Sequence, residues 1–138
     1  MITAATLAFE IGRFDRFEKP KHLMSYLGLV PREMSSGERT VKGSITKAGN
    51  THVRRVLCET SWNYRFAGTG TAIQKRRSKA PASVQAIALK AQERLHEKYR
   101  RLMLRKKEVN KVNVAISREL VGFIWAIGRD VEKAKAKG

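Results

Sequence analysis

Cysteine is almost absent from this sequence. Cys58 stands alone, so no internal disulfide can form, and with three well-separated histidines there is no zinc-ligand spacing. Set between Leu57 and Glu59 in the body of an expected helix, Cys58 reads as a packing residue rather than a nucleophile. Long apolar runs are missing too. No stretch approaches the roughly 20 residues that a membrane-spanning helix needs, and the start MITAATLAFE lacks the basic segment that opens a signal peptide. A reducing, cytoplasmic setting without membrane insertion is expected.

Negative charge is scarce. The 12 Asp and Glu are scattered from Glu10 to Glu132, and where two stand close, as Glu93 and Glu97 do, Lys90, Arg94, Lys98 and Arg101 lie at helical pairing distance. Metal-dependent phosphoryl transfer needs two or more acidic ligands converging on magnesium, so the sequence supports no self-contained nuclease and no metal site of its own. Against those 12 acids stand 29 Lys and Arg, a formal net charge of +17 on 138 residues. A compact domain so charged repels itself unless a polyanion neutralises it, which makes nucleic acid the first expected partner and an anionic membrane surface the second. The length suits one domain with a modest core.

The pattern along the chain is mainly α. Ile2 to Ile11 is a short apolar stretch that begins abruptly, and residues 1–12 read as the remnant of a preceding helical segment. Pro20 can open a short helix carrying Leu23, Met24 and Leu27, with Gly28 placed to end it. From Val30 to Gly49 the periodicity fails, in a basic stretch rich in Ser, Thr and Gly that reads as a functional loop; no run of strand length alternates apart from Arg39 to Lys42. Asn50 or Thr51 then caps a helix with Val53, Val56, Leu57, Thr60 and Tyr64 on one face. Residues from Gly68 to Pro81 form a basic connector. A long helix is expected from Ala82 to Leu104, with Val84, Ile87, Ala88, Ala91, Leu95, Tyr99 and Leu102 as its apolar stripe. After a break at Lys106 to Asn110, Val112, Ile116, Leu120, Phe123, Ile127 and Val131 mark a last helix packed on it, with a frayed AKAKG tail. The expectation is a small helical domain with a basic Ser/Gly-rich loop and a long C-terminal helical hairpin.

Between Lys75 and Lys111 there are thirteen Lys and Arg against three Glu, among them Lys75, Arg76 and Arg77 in succession. Any one of them alone is a wetted surface charge; together they point to phosphate contacts and a steep salt dependence. In the loop, Ser35 and Ser36 precede Gly37, and Arg39, Lys42, Lys47, Asn50, Arg54 and Arg55 follow. A serine hydroxyl can attack phosphorus only when a base or metal takes its proton and cations neutralise the phosphate oxygens. Hydroxyls and cations are present here, but no base is evident, and spacing alone favours a turn. Trp62, Tyr64 and Phe66, expected within one helix, could stack on bases; with Phe14, Phe17, Phe123 and Trp125, Trp62 reads more simply as core.

The segment RFDRFEKPKHLMSYLGLVPREMSSGERTVKGSITKAGNTHVRRVLCETSW is more specific. It holds a Leu-Gly-Leu-x-Pro step at Leu27 to Pro31, Ser36 with Gly37, a Gly-x-Ile-x-Lys-x-Gly-Asn run at Gly43 to Asn50, and Arg-x-x-Leu at Arg54 to Leu57. In these motifs, and in NKVNVAISRELVGFIWAIGRD near the end, the chain resembles the C-terminal transposase domain of the DEDD-type insertion-sequence transposases. That group includes the Piv-like DNA invertases and the recombinases guided by a bridge RNA. The resemblance assigns residues 13–138 to that domain and implies DNA recombination and transposition of a mobile element. It implies a serine nucleophile, matched by Ser36 with Ser35 as the alternative, and phosphate contacts by the loop cations and by Lys75, Arg76 and Arg77. It further implies Mg2+ for the full-length enzyme, held by a separate resolvase-like N-terminal domain that this sequence lacks. The chain by itself is therefore expected to hold no cofactor and to bind DNA, or a guide RNA, without cleaving it. A homo-oligomer is expected. A module that only binds nucleic acid or assembles is the competing reading.

Overall fold

In the computed structural model, residue 7 and residues 10–36, 39–45 and 51–137 are described, those from 31 to 45 by backbone alone. The fold is mainly α, as the periodicity predicts. Among the described residues, five helices with defined limits carry it: α1 (Pro20–Tyr26), α2 (Thr51–Ser61), α3 (Thr71–Ser78), α4 (Ala82–Leu104) and α5 (Val109–Lys137). Two 3-10 turns, Phe14–Arg16 and Trp62–Arg65, and a two-stranded antiparallel hairpin of β1 (Pro31–Ser36) and β2 (Arg39–Ile45) complete it.

The α5 helix is the spine, packing against α1, α2, α4 and the first 3-10 turn. Its Val112, Ile116 and Val121 are fully buried with Leu23 and Leu27 of α1, Val53 and Leu57 of α2, and Leu95 of α4. Leu7 and Ile11 are buried in the same core. Two glycines in the middle of α5 weaken the helix by about 1 kcal/mol each relative to alanine, and their positions explain them. At Gly128 a Cβ would overlap the Phe14 ring, and at Gly122 it would touch Met24. The absence of side chains lets the incoming segment lie directly on the helix. Trp125 Nε1 donates to Phe17 O at 2.8 Å, and the Phe14 amide donates to Glu132 Oε1 at 2.5 Å, which fixes that approach.

The helix ends follow local chemistry. Pro20 occupies the first turn of α1, where its missing N–H costs nothing. Gly28, at φ +71°, ends α1, with its amide donating to Ser25 O and that of Leu29 donating to Met24 O, both at 3.0 Å. The same Schellman pattern closes α4, where the Lys106 amide donates to Met103 O at 3.0 Å and that of Lys107 to Leu102 O at 3.3 Å. There the left-handed position falls on Lys106, at φ +55°.

A polar seam joins α2 to α5. The buried hydroxyls of Ser61 and Ser117 lie 2.8 Å apart, and each also reaches a carbonyl of its own helix, Leu57 O at 2.8 Å and Asn113 O at 2.7 Å. Both are satisfied, as buried polar groups must be. The half-buried Cys58 contributes its sulfur to this seam, 3.5 Å from Ser117 Oγ, which agrees with a packing role.

Three local expectations change. The Ser/Gly-rich loop is largely a β-hairpin, since cross-strand pairing supplies backbone partners that periodicity does not reveal. The basic connector folds its centre into α3. The tail stays helical through Lys137 because it extends a helix already nucleated on the core.

Candidate nucleic-acid interface

The hairpin sets the two candidate nucleophiles in register. Ser36 pairs with Arg39 and Ser35 with Thr40, while Lys42 stands opposite Glu33; the register slips between Pro31 and Glu33. Ser36 therefore ends β1, with Arg39, the first residue of β2, as its ladder partner. Lys47 and Asn50 lie outside the described residues.

The two arginines of α2 are engaged within the fold. Arg54 is half-buried and donates to Leu27 O at 3.2 Å and Thr51 Oγ1 at 3.3 Å, which braces the end of α1 against the start of α2. Arg55 is exposed and pairs with Glu59 one turn on, at 3.2 Å.

The α3 helix differs. Lys75, Arg76 and Arg77 crowd its last turn, where the helix dipole favours cations, and Lys79 follows at once. Among the described residues none of the four has a carboxylate within ion-pair distance, and no acidic residue occurs between Gly68 and Gln92. The helix buries nothing. By contrast, the cations on the inner edge of α4 are spent internally: Glu119 of α5 accepts from both Arg94 and Lys98, the latter at 2.6 Å. Burial would push that carboxyl up, but the bonds and charges of Lys98 and Arg94 outweigh it and hold it below its ordinary value.

Next to α3 lies an arrangement of aromatic residues for which the sequence favoured the core over the stacking alternative. The core reading holds for Phe17, which is buried, and for Phe14, Phe123 and Trp125, which pack against the core. It fails for Trp62, which is 41% exposed, and Phe66, 59% exposed, is still more open. These residues lie on a 3-10 turn and its cap rather than on the helix expected for them, so they leave the buried face of α2. The Arg65 guanidinium carbon sits 4.3 Å from the Trp62 ring centre and 4.2 Å from that of Phe66. Only the string WNYRF, with a cation between aromatics, hints at this. Tyr64, between them in sequence, turns inward, and burial pushes its phenol up from its ordinary value.

Among the described residues no three His, Cys, Asp or Glu side chains gather where a metal ion could be held, and no helix is long and apolar enough to cross a membrane.

Residues 1–77 match the family described as "Transposase IS116/IS110/IS902 family". The chain is 47% identical over 134 residues to a Sinorhizobium fredii protein named "Putative transposase y4qE", an alignment covering 96% of this chain and 34% of that protein. It is 48% identical over 112 residues to the transposase for insertion sequence element IS1533 of Leptospira borgpetersenii, covering 80% of this chain and 32% of that one. To the transposase for insertion sequence element IS1111A of Coxiella burnetii it is 25% identical over 126 residues, covering 91% and 29%. The chain thus spans about a third of the length of the curated relatives it matches, and no solved structure matches it. Over more than half its length by the family's own pattern, and over nearly all of it by its Sinorhizobium relative, this chain belongs to the IS116/IS110/IS902 family of transposases.

Proposed function

We propose that this chain is the DNA-contacting and strand-exchange part of a longer DEDD-type transposase, with Ser36 as the nucleophile and Ser35 as its alternative. The observation that carries the reading is the hairpin register, which sets Ser36 opposite Arg39 at the turn in a chain of a transposase family. In the proposed step the serine oxygen bonds to phosphorus as the bond from phosphorus to the departing strand's oxygen breaks. The serine proton passes to a base, and Arg39, Lys42 and Lys47 offset charge on the phosphate oxygens. The described residues do not fit a magnesium site, so no part of the step is assigned to metal on this chain. Mg2+ and the acidic residues that would hold it are proposed for the portion of the relatives that this chain does not span. A guide RNA and a homo-oligomeric assembly in the cytoplasm belong to the same proposal.

In the longer protein, Ser36→Ala should abolish strand cleavage on a labelled substrate while leaving DNA binding unchanged, and Ser35→Ala should leave both. Undiminished cleavage by Ser36→Ala would sink the assignment.

One observation favours a second reading, a module that binds without a serine. The cations of α3, which have no ion-pair partner among the described residues, suffice to grip phosphates. Changing Lys75, Arg76 and Arg77 together to Gln should then lower the slope of log affinity against log salt on duplex DNA by up to about 3. An unchanged slope would place the phosphate contacts elsewhere.

A further inference from the structure

The Trp62–Arg65 turn holds aromatic surface in water without being loose. Exposed rings forgo about 25 cal/mol for every Å² left unburied, so a fold keeps them out only where something fixes them. Tyr64 O lies 2.9 Å from His96 Nδ1 of α4, Gln92 Nε2 of α4 donates to Phe66 O at 3.3 Å, and Arg65 Nη1 donates to Trp62 O at 2.9 Å. The Trp62 ring stands edge-on to the buried Tyr99, 6.4 Å between centres at 76°. The backbone and one ring edge are tied down, while the outer faces of the Trp62–Arg65–Phe66 stack remain open.

A hollow of about 390 Å³ adjoins the Phe66 end of the stack, walled by Phe66, Tyr64 and Ile73 and edged by Asn63, Gln92 and Arg76. Gly68, at φ +71°, completes the wall; a Cβ there would collide with the Gln92 carboxamide. Gln92 Nε2 donates to Phe66 O, and the Gln92 and Asn63 carboxamides both line the hollow. The chemistry is that of a flat, hydrogen-bonding ring carrying an anion: a ring face for Phe66, polar edges for Asn63 and Gln92, and a charge for Arg76. Lys75 and Arg77 add further positive charge on the same last turn of α3. A duplex hides its base faces by stacking, whereas a single strand presents them.

We propose that the Trp62–Arg65–Phe66 stack and its adjoining hollow capture an unpaired nucleobase of a single strand, with Arg76 on the neighbouring phosphate. The site rests on the reading of this chain as a nucleic-acid-contacting part of a transposase. The ligand chemistry, a base on a sugar-phosphate backbone, is common to displaced DNA and to RNA.

The test is fluorescence anisotropy of labelled short oligo-dT, oligo-U and a duplex, with the full chain and its Phe66→Ala variant at fixed salt. Stacking of one base on one ring is worth roughly 5- to 150-fold in affinity, so Phe66→Ala should weaken single-strand binding by about tenfold and leave duplex binding within about twofold. Because the chain has two tryptophans, the Trp125→Phe variant leaves Trp62 as the sole reporter, and its emission should be quenched by oligo-dT or oligo-U but not by duplex. Should that variant fold poorly, anisotropy with Phe66→Ala decides alone. Stronger binding of oligo-dT or of oligo-U then says which source supplies the base. Salt-dependent binding that Phe66→Ala leaves untouched, or weakens equally for single strand and duplex, overturns the base site while phosphate contact stands. No binding of any of the three at low salt overturns phosphate contact first, and the base site with it.

Discussion

At the residue scale, side chains that look interchangeable in composition do opposite work. Arg54 spends its guanidinium on Leu27 O, Arg65 lays its own over two exposed rings, and Arg76 has no carboxylate within ion-pair distance among the described residues. What separates them is the neighbour each helix turn supplies. Glu119 is the sharpest case, because one carboxylate on α5 holds both Arg94 and Lys98 of α4. Its folded state binds a proton more weakly than the ordinary carboxyl, whose value is 4.5. The stability it contributes is therefore present above about pH 4.5 and is lost as pH falls through the lower folded value. Thermal melts of the native chain and Glu119→Gln should show the native protein ahead at pH 6, with the gap closing toward acid. A gap constant across that range would show that this pair does not link pH to stability.

At the element scale, a helix end is set by which residue takes the left-handed position after its last turn. The ends of α1 and α4 are closed by the same Schellman hydrogen bonds, yet glycine fills the left-handed position at Gly28 and a Cβ-bearing residue fills it at Lys106. A side chain in that conformation costs about 1 kcal/mol or more, partly offset by the extra freedom glycine gives the unfolded chain. Lys106→Gly should accordingly stabilise the protein by about 0.5–1 kcal/mol. Urea unfolding would read this as a higher midpoint at unchanged slope; a lower midpoint would mean that the Lys106 side chain contributes something the turn geometry does not account for. The α3 helix makes the converse point. It buries no residue, and a helix of eight residues is marginal alone, so its ends depend on polar ties: Gln74 Nε2 donates to Thr69 O at 3.1 Å before it, and Gln85 Nε2 of α4 donates to Ala80 O at 2.6 Å after it.

At the scale of the whole molecule, a net charge of +17 opposes compaction. Raising sodium chloride shortens the Debye length to about 10 Å at 0.1 M, so like-charge repulsion should fade and the melting temperature should rise with moderate salt. A fall would mean that pairs such as Lys98 with Glu119 outweigh the repulsion. The same excess that weakens the free fold is what a polyanion would neutralise. Much of this was legible without coordinates. The limits of α4, the stop at Gly28 and the packing of α5 on α4 follow from periodicity and from proline and glycine chemistry, which act over a few residues. The family, too, shows in local strings such as Leu27 to Pro31 and Arg54 to Leu57. The hairpin did not show, because Ser36 and Arg39 acquire their relation only when β1 and β2 pair. Nor did the exposed stack: in sequence Trp62 and Phe66 are simply large and apolar, and burial is their default. Composition by itself determined that the chain is basic and mainly helical, since charge and periodicity are sums over residues. Only the tertiary structure decided which cations are spent on carboxylates and which aromatic faces stay in water, because those depend on residues brought together from far along the chain.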